Sequence, residues 1–204
     1  MAPRPSTSPR AVARRVAKLS AVQYQLRIEL QHVKPAVWRR ILVPENVTLA
    51  KLHPILLWAM GWHGGHLHEY EIARSRYGMP PDDDWPGSEP VFDERRFRLN
   101  QFVESGMRRF KYIYDFGDRW EHSIAVEDVQ PRKDSAPPVV CLAGENACPP
   151  EDVGGPPGYF EFLAALKDPS HEEHAHMLDW IGGAFDPSAF DLAELNARLA
   201  QIKA

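Results

Sequence analysis

Three histidines are crowded into one short segment of the chain, at positions 63, 66 and 68. His66 and His68 are two residues apart, so in an extended strand their imidazole rings point to the same face. Imidazole nitrogens that converge in this way are typical zinc ligands, and the pair would form one half of a metal site. The same spacing also fits a strand face that carries one hydrogen-bonded and one solvent-exposed histidine, with no metal.

Two cysteines, Cys141 and Cys148, lie in a stretch from residue 131 to 157 that is rich in proline and glycine. A long loop without elements of its own is usually functional or held by some other constraint. Zinc bound by thiolates is one such constraint, because the metal supplies the stability that a missing core does not. Asp152, His122 or one of the crowded histidines would have to complete the four ligands. The alternative is that both cysteines are ordinary small apolar residues.

A third group of candidates lies in residues 110–128, whose alternating pattern predicts a β-hairpin. Asp115, Gly117 and Asp118 supply the turn, with Gly117 free to adopt a positive φ. His122 follows on the return strand, on the aromatic face of the hairpin. A carboxylate of Asp115 or Asp118 beside His122 would make a general base and the group that orients it. A hydrogen-bonded core histidine fits the same pattern.

The sequence does not support several other well-known catalytic motifs. Residues 115–117 spell the Asp-Phe-Gly triplet of protein kinases, but the sequence has no glycine-rich loop and no catalytic-loop motif. His171 and His174 lie on a predicted helix without the His-Glu-x-x-His spacing of zinc peptidases. The sequence also contains no nucleophile elbow, phosphate-binding loop or dinucleotide fingerprint.

The overall composition is that of an ordinary globular domain. The chain has 204 residues, of which 44% are hydrophobic and 25% charged, enough for one domain with a substantial core. No apolar run approaches the roughly 20 residues that a membrane helix needs, and no apolar segment of the secretory type follows the basic N-terminus. With only two cysteines, no disulfide framework is expected, and the sequence predicts a protein of the reducing cytoplasm.

The net charge of −4 conceals an uneven distribution. Residues 1–20 carry five basic side chains and no acidic one, which leaves 19 basic and 28 acidic residues in the single domain expected at 21–204. An acidic domain argues against a large nucleic-acid interface. We expect the basic segment to be a disordered, solubilising arm, with contact to phosphate as the alternative.

Hydrophobic periodicity predicts that strands come first along the chain and that helices gather at the end. Strands are expected at 24–30, at 37–43, from His66 onward and in the hairpin. This order favours an α+β fold, in which a small antiparallel sheet built from hairpins is packed by one early helix and about three C-terminal helices.

The early helix is expected over residues 48–62, with Thr48 as its cap. Pro54 lies inside this window and is expected to kink the first turn or to delay the helix start to about His53. The later helices are expected at about 158–167, at 170–181 and from 191 onward.

Five blocks of residues, in order over about residues 22–200, have a combined pattern that points to one family. The blocks are Tyr24–Leu30 with Pro35-x-x-Trp38-Arg39-Arg40; Leu52-His53, Gly61-Trp62 and His66-Leu67-His68; Tyr112-x-Tyr114-Asp115-Phe116-Gly117-Asp118-x-Trp120-x-His122; Cys141-x-x-Gly144, Cys148-Pro149-Pro150-Glu151-Asp152-x-Gly154-Gly155 and Gly158-Tyr159; and Trp180, Phe185-Asp186-Pro187 and Phe190-Asp191. Together they resemble the plasmid pRiA4b ORF-3-like family. The resemblance implies an α+β domain found on plasmids, transposons and prokaryotic chromosomes.

Some members of that family carry a resolvase-like label. This chain shows neither a serine-recombinase nor a tyrosine-recombinase pattern, so the resemblance does not bring that activity with it. The chain also departs from the family pattern at Val153, where a third cysteine is expected between Asp152 and Gly154. If members bind metal through three cysteines, this chain lacks one ligand, which weakens the prediction of zinc.

The leading hypothesis from the sequence is a non-catalytic binding domain, an accessory protein of mobile elements that recognises a protein or nucleic-acid partner. Its candidate contact residues are Tyr114 and Trp120 in the aromatic hairpin and Glu151 and Asp152 in the proline-rich and glycine-rich loop. The rival hypothesis is a metal-dependent hydrolase or nuclease that draws its ligands from the histidine, aspartate and cysteine candidates and keeps a position open for water. A structural zinc closed by four ligands is the third.

Overall fold

The computed structural model describes residues 22–81, 89–132 and 137–202, so the basic segment predicted at 1–20 lies outside the described residues. The strands are β1 Val22–Leu30, β2 Trp38–Pro44, β3 His68–Ile72, β4 Ser75–Gly78, β5 Val91–Asp93, β6 Arg109–Tyr114, β7 Trp120–Pro131 and β8 Val140–Glu145. The helices are α1 Leu49–Met60, α2 Leu99–Glu104, α3 Gly155–Lys167, α4 His174–Ile181 and α5 Leu192–Leu199, with a short 3-10 turn at Glu94–Arg96.

All eight strands belong to one mixed sheet, in the order β5-β4-β3-β6-β7-β1-β2-β8. β4 and β5 are parallel, and the other neighbours are antiparallel. The prediction of a small antiparallel sheet built from hairpins is therefore wrong. The cause is β7, whose 12 residues pair with β1 on one side and with β6 on the other and so join the hairpins into one sheet.

Three strands were absent from the prediction for local reasons. β4 and β5 have only four and three residues, too few for an alternating pattern to be recognised. β8 lies within residues 131–157. This stretch was predicted to be a loop because it is rich in proline and glycine. Its pairing with β2 extends the sheet at that end.

One face of the sheet forms the core under the helices. On β1, Tyr24, Leu26, Ile28 and Leu30 are buried, since every second residue of a strand points to the same side. The buried side chains of α1 belong to the same core cluster. Thr48 caps this helix by accepting a hydrogen bond from the Lys51 N–H at 3.2 Å.

The boundaries of the helices agree with the prediction in part. α1 begins at Leu49 although Pro54 lies inside it, so the predicted delay to His53 is wrong. The three C-terminal helices are present as α3, α4 and α5. Within the described residues, no helix combines the length and the apolar character needed to span a membrane.

The opposite face of the sheet is charged, and many of its charges are paired with one another. Among the described residues, such pairing reduces the positive charge that this face offers to phosphate, although Arg109 bonds only to the Ser123 hydroxyl. The pairs are Arg27 with Glu29 at 2.9 Å, Arg40 with Glu127 at 2.6 Å, and Lys111 with Glu71 at 3.6 Å and with Glu121 at 3.9 Å.

The free edge of β8 is occupied by one side chain from α5. The Cys141 N–H donates to Asn196 Oδ1 at 2.8 Å, and Asn196 Nδ2 donates to the Cys141 carbonyl oxygen at 3.0 Å. The carboxamide thus makes the two hydrogen bonds that a residue of a neighbouring strand would make. Cys141 itself is buried beneath this contact.

Candidate metal centre

The turn between β6 and β7 and the loop that precedes α3 are in direct contact at one end of the sheet. Asp118 Oδ2 accepts a hydrogen bond from the Gly154 N–H at 3.1 Å. The Tyr114 hydroxyl donates to Glu151 Oε1 at 2.7 Å. Residues that the sequence analysis took from two separate segments therefore face each other.

Asp115 shapes the turn that carries its own carboxylate. Its φ is 57°, and its Oδ1 accepts a hydrogen bond from the Gly117 N–H at 2.9 Å. Aspartate tolerates the left-handed region because its short side chain bonds to the nearby backbone in this way. The residues of this turn with a positive φ are Asp115 and Arg119. The prediction that Gly117 adopts a positive φ is therefore wrong. The Asp115 N–H also donates to the Leu67 carbonyl at 2.9 Å, which ties the turn to the histidine segment.

Glu151 holds the loop against the histidine segment from the other side. Its carboxylate accepts a hydrogen bond from the Tyr114 hydroxyl. It also accepts hydrogen bonds from the backbone N–H groups of His63, at 3.0 Å, and Gly64, at 3.2 Å. Burial, and then the hydrogen bond to Glu151, raise the pKa of Tyr114, so the phenol remains a donor. These bonds hold Glu151, on one side of Asp152, while the bond of the Gly154 N–H to Asp118 holds the loop on the other side.

His66 lies between two carboxylates. Its Nδ1 is 3.5 Å from Asp115 Oδ2, and its Nε2 is 3.1 Å from Asp152 Oδ1. One potential ligand atom from each of the three residues lies within 4.8 Å of the other two. The two short distances involve opposite nitrogens of the ring, and only one of these nitrogens can bind a given ion, so a single divalent cation would be shared through one atom from each residue within 4.8 Å of one another. The Asp152 side chain is 69% exposed, which leaves one side of the cluster open to solvent.

The sequence pattern that defines the plasmid pRiA4b ORF-3-like protein family matches residues 22–194. The chain belongs to this family. The resemblance inferred from the five sequence blocks is thereby confirmed, and the cluster joins residues from three of those blocks.

Two relatives of this pRiA4b ORF-3-like chain extend the comparison. Uncharacterized protein y4hQ of Sinorhizobium fredii (strain NBRC 101917 / NGR234) is 42% identical over 181 residues, which cover 88% of this chain and 92% of the relative. The crystal structure of MM3350, a protein of unknown function from Methanosarcina mazei Go1, is 35% identical with a TM-score of 0.78, and the match covers 86% of this chain and 98% of that one. The relatives therefore show the family and its fold.

His68 lies outside the cluster of this pRiA4b ORF-3-like domain. β3 begins at His68, so His66 precedes the strand and the two rings do not share a strand face. The Nε2 of His68 is 2.8 Å from Glu94 Oε2, and its ring is stacked on that of His53 with centroids 3.5 Å apart. Sequence reasoning missed His53 and Glu94, because three different elements bring these residues together and no local pattern marks them.

His122 is a core residue. Its ring is fully buried against Trp62 and Tyr112, and its Nδ1 is 3.3 Å from the Tyr112 carbonyl oxygen. Its Nε2 has no hydrogen-bond partner among the residues that the structure describes. Burial lowers the pKa of His122 to about 4, so the ring is neutral at pH 7. Within the described residues, neither Asp115 nor Asp118 forms a hydrogen bond with it.

We expect the buried His122 ring to make the free energy of unfolding fall by on the order of 3 kcal/mol between pH 7 and pH 4. The unfolded imidazole takes up a proton near pH 6.5, whereas the folded one stays neutral down to about pH 4. Between these values the unfolded state binds more protons, so stability decreases as the pH falls through this window. Urea unfolding at pH 7 and pH 4 measures the effect. The His122→Phe variant should lose this share of the pH dependence, and an unchanged dependence would contradict the assignment.

The two cysteines also lie apart from the cluster. Burial raises the pKa of Cys141, and it raises that of the half-buried Cys148 to about 12 against the opposing charge of Arg39. Both side chains are therefore thiols at neutral pH in the metal-free protein. Val153 packs against the hydrophobic core, so the position where a third cysteine was expected does not join the cluster.

The four candidate contact residues divide into two pairs. Tyr114 and Trp120 are at most 1% exposed and belong to the core cluster. Glu151 and Asp152 lie at the surface, one as an anchor of the loop and the other as a potential metal ligand.

Proposed function

We propose that this pRiA4b ORF-3-like domain is a metal-dependent hydrolase whose single divalent ion is held by His66, Asp115 and Asp152. The observation that supports the proposal is the convergence of one imidazole and two carboxylates from three separate segments, with one side open to solvent. A set of one nitrogen and two oxygen ligands suits Mn²⁺, Fe²⁺ or Zn²⁺. The open side leaves coordination positions for water and for a substrate oxygen.

The chemistry of such a site follows from its charge. Two carboxylates balance the two positive charges of the ion, and the ion lowers the pKa of a bound water towards neutrality. An ion held by these residues would supply an activated water at neutral pH, which fits a sequence that has no serine or cysteine nucleophile in a recognisable motif. Glu151 and Asp118 act as positioning residues, because they hold the loop and the turn that carry Asp152 and Asp115.

We expect the metal-stripped protein to bind one Mn²⁺ or Zn²⁺ ion per chain. The His66→Ala and Asp152→Asn variants should each lower the affinity by at least about 100-fold, since the first removes a direct ligand and the second removes the negative charge of another. His63→Ala is the matched control, because His63 contributes only its backbone N–H to the site. Calorimetric titration and elemental analysis measure the affinity and the stoichiometry.

Hydrolysis is tested on the same samples with p-nitrophenyl acetate and bis(p-nitrophenyl) phosphate. Turnover that requires the ion and disappears in Asp152→Asn supports the proposal, while equal affinity in Asp152→Asn and the wild type contradicts it. An ion that binds without any turnover would favour the accessory binding domain instead. The association with plasmids or mobile elements rests on the name of the family alone and stays a prediction.

A further inference from the structure

A cavity of about 590 Å³ lies where the start of β3, the start of β5 and the β6–β7 turn meet. A volume of this size is in the range of pockets that bind small molecules. Leu67, Met79 and Phe116 line the cavity and are 55%, 66% and 47% exposed. Large apolar side chains grouped at a surface commonly mark a binding site. The cavity therefore offers an apolar surface to a ligand.

The charged side chains of the wall leave one carboxylate uncompensated. Glu69, Glu89 and Arg76 are its acidic and guanidinium groups among the described residues. Arg76 donates to Glu69 Oε2 from both Nε and Nη2, so these two charges neutralise each other. Glu89 forms no ion pair within residues 22–81, 89–132 and 137–202. Its negative charge is therefore available to a ligand.

Two histidines of the wall have carboxylates directly behind them. His68 Nε2 is 2.8 Å from Glu94 Oε2. His66 lies between Asp115 and Asp152, with nitrogen-to-oxygen distances of 3.5 Å and 3.1 Å. Even if both imidazoles carry a proton, these three carboxylates more than balance the two positive charges.

The third histidine of the wall, His53, adds no positive charge. Its Nδ1 is 2.7 Å from the Tyr112 hydroxyl. Burial, and then the charge of His68, lower the pKa of His53 to about 3, so its ring is neutral at pH 7. A neutral imidazole accepts or donates a hydrogen bond without repelling a cation.

The sum of these charges is negative in every protonation state considered. Five carboxylates lie in the wall or behind its histidines, against one guanidinium. The net charge is −4, and it is −2 if His66 and His68 are both protonated. A divalent ion at the proposed metal centre, with neutral histidines, also leaves −2. A site with this potential attracts cations and repels anions.

We infer that the cavity binds a small organic cation, an amine with an apolar chain. The ammonium group lies by Glu89, and the chain lies against Leu67, Met79 and Phe116. The inference does not rest on the metal centre, because the charge around the cavity is negative with or without the ion.

The test is calorimetric titration of the metal-free protein at pH 7 with butylamine, hexylamine, 1-hexanol and hexanoate. Hexylamine should bind at least about fivefold more tightly than hexanol, and hexanoate should bind more weakly than hexanol, because the charge of the ligand changes sign in this series. Each methylene group by which hexylamine exceeds butylamine should raise the affinity about threefold to fourfold, since burying one CH₂ has an effect of this order.

Two variants locate the ligand. Glu89→Gln should lower the affinity for hexylamine about threefold and leave that for hexanol unchanged, since it removes a charge of the wall. Phe116→Ser should lower both affinities about fivefold. Glu161→Gln and Phe160→Ser are the matched controls, because both residues are exposed and lie on α3 outside the lining of the cavity. Unchanged thermal unfolding of all four variants shows that they remain folded.

The results separate this inference from the metal centre. Hexylamine that binds no more tightly than hexanol, or equally well to Glu89→Gln and the wild type, overturns the inference. These titrations need no ion, so an absence of metal binding contradicts the metal centre alone. A failure of amine binding likewise leaves the metal centre standing.

Discussion

Replacement of Gly158 by alanine should destabilise the protein by about 3 kcal/mol. Helix propensity alone would give the opposite sign, because alanine stabilises a helix interior by about 1 kcal/mol relative to glycine. Gly158 lies in α3, and a Cβ added there would be 2.0 Å from the Val153 carbonyl oxygen. The clash is with backbone, so no side-chain rotation relieves it and the loop before α3 has to shift.

The same shift should weaken the metal centre, because Val153 is the residue next to Asp152. We expect Gly158→Ala to lower the Mn²⁺ affinity by at least about tenfold, an effect of the size seen when support of a ligand is lost. Gly182→Ala is the control: its added Cβ meets no atom within 4 Å, and only the φ of 75° is unfavourable, at about 1 kcal/mol. Urea unfolding and calorimetric titration measure both quantities. Equal destabilisation by the two variants would contradict the assigned clash.

Replacement of Arg39 by methionine should cost about 4 kcal/mol of unfolding free energy. Arg39 is only 4% exposed. Its guanidinium donates to the carbonyl oxygen of Ala59 at 3.1 Å and to those of Trp38, Glu145 and Asn146 at 2.8 Å each. Methionine fills a similar volume but donates no hydrogen bond, so four carbonyl oxygens, one buried and three part-buried, lose this donor.

The neighbouring Arg40 provides a matched control, because successive strand residues point to opposite faces. Arg40 forms an ion pair with Glu127 on the charged face, and Arg40→Met should cost less than about 1 kcal/mol. Arg39→Lys should recover little of the loss, since one ammonium group cannot reach four carbonyl oxygens in the geometry of a guanidinium. Similar losses for Arg39→Met and Arg40→Met in urea unfolding would refute the role assigned to Arg39.

Local pattern was enough to identify several elements of the fold. The alternation in β1 and in the β6–β7 hairpin is a property of each segment, and the pairing of a strand with its neighbour in sequence needs only a turn. The extent of the sheet could not be predicted in this way, because β7 pairs with β1 across about 100 intervening residues. No local signal encodes such a partner, and the hairpins therefore seemed separate in the sequence.

The candidate site was predictable as single residues and not as a group. His66, Asp115 and Asp152 were each identified from the sequence, but His66 was paired with His68 on the assumption that the strand begins at His66. β3 begins two residues later, and the φ values near 60° at Asp115 and Asp152 lie in turns, where side-chain direction follows no simple period. The cluster forms because hydrogen bonds of Glu151 and Asp118 draw three such segments together.

The contact between Asn196 and β8 bears on how the protein behaves in a crowded solution. The outermost strand of an open sheet presents unpaired N–H and C=O groups, which can recruit a strand from another molecule and start aggregation. On β8, the carboxamide of Asn196 occupies both groups of Cys141, so a foreign strand cannot continue the ladder past this residue. Through this one polar side chain, α5 blocks strand pairing at Cys141, near the start of the exposed edge.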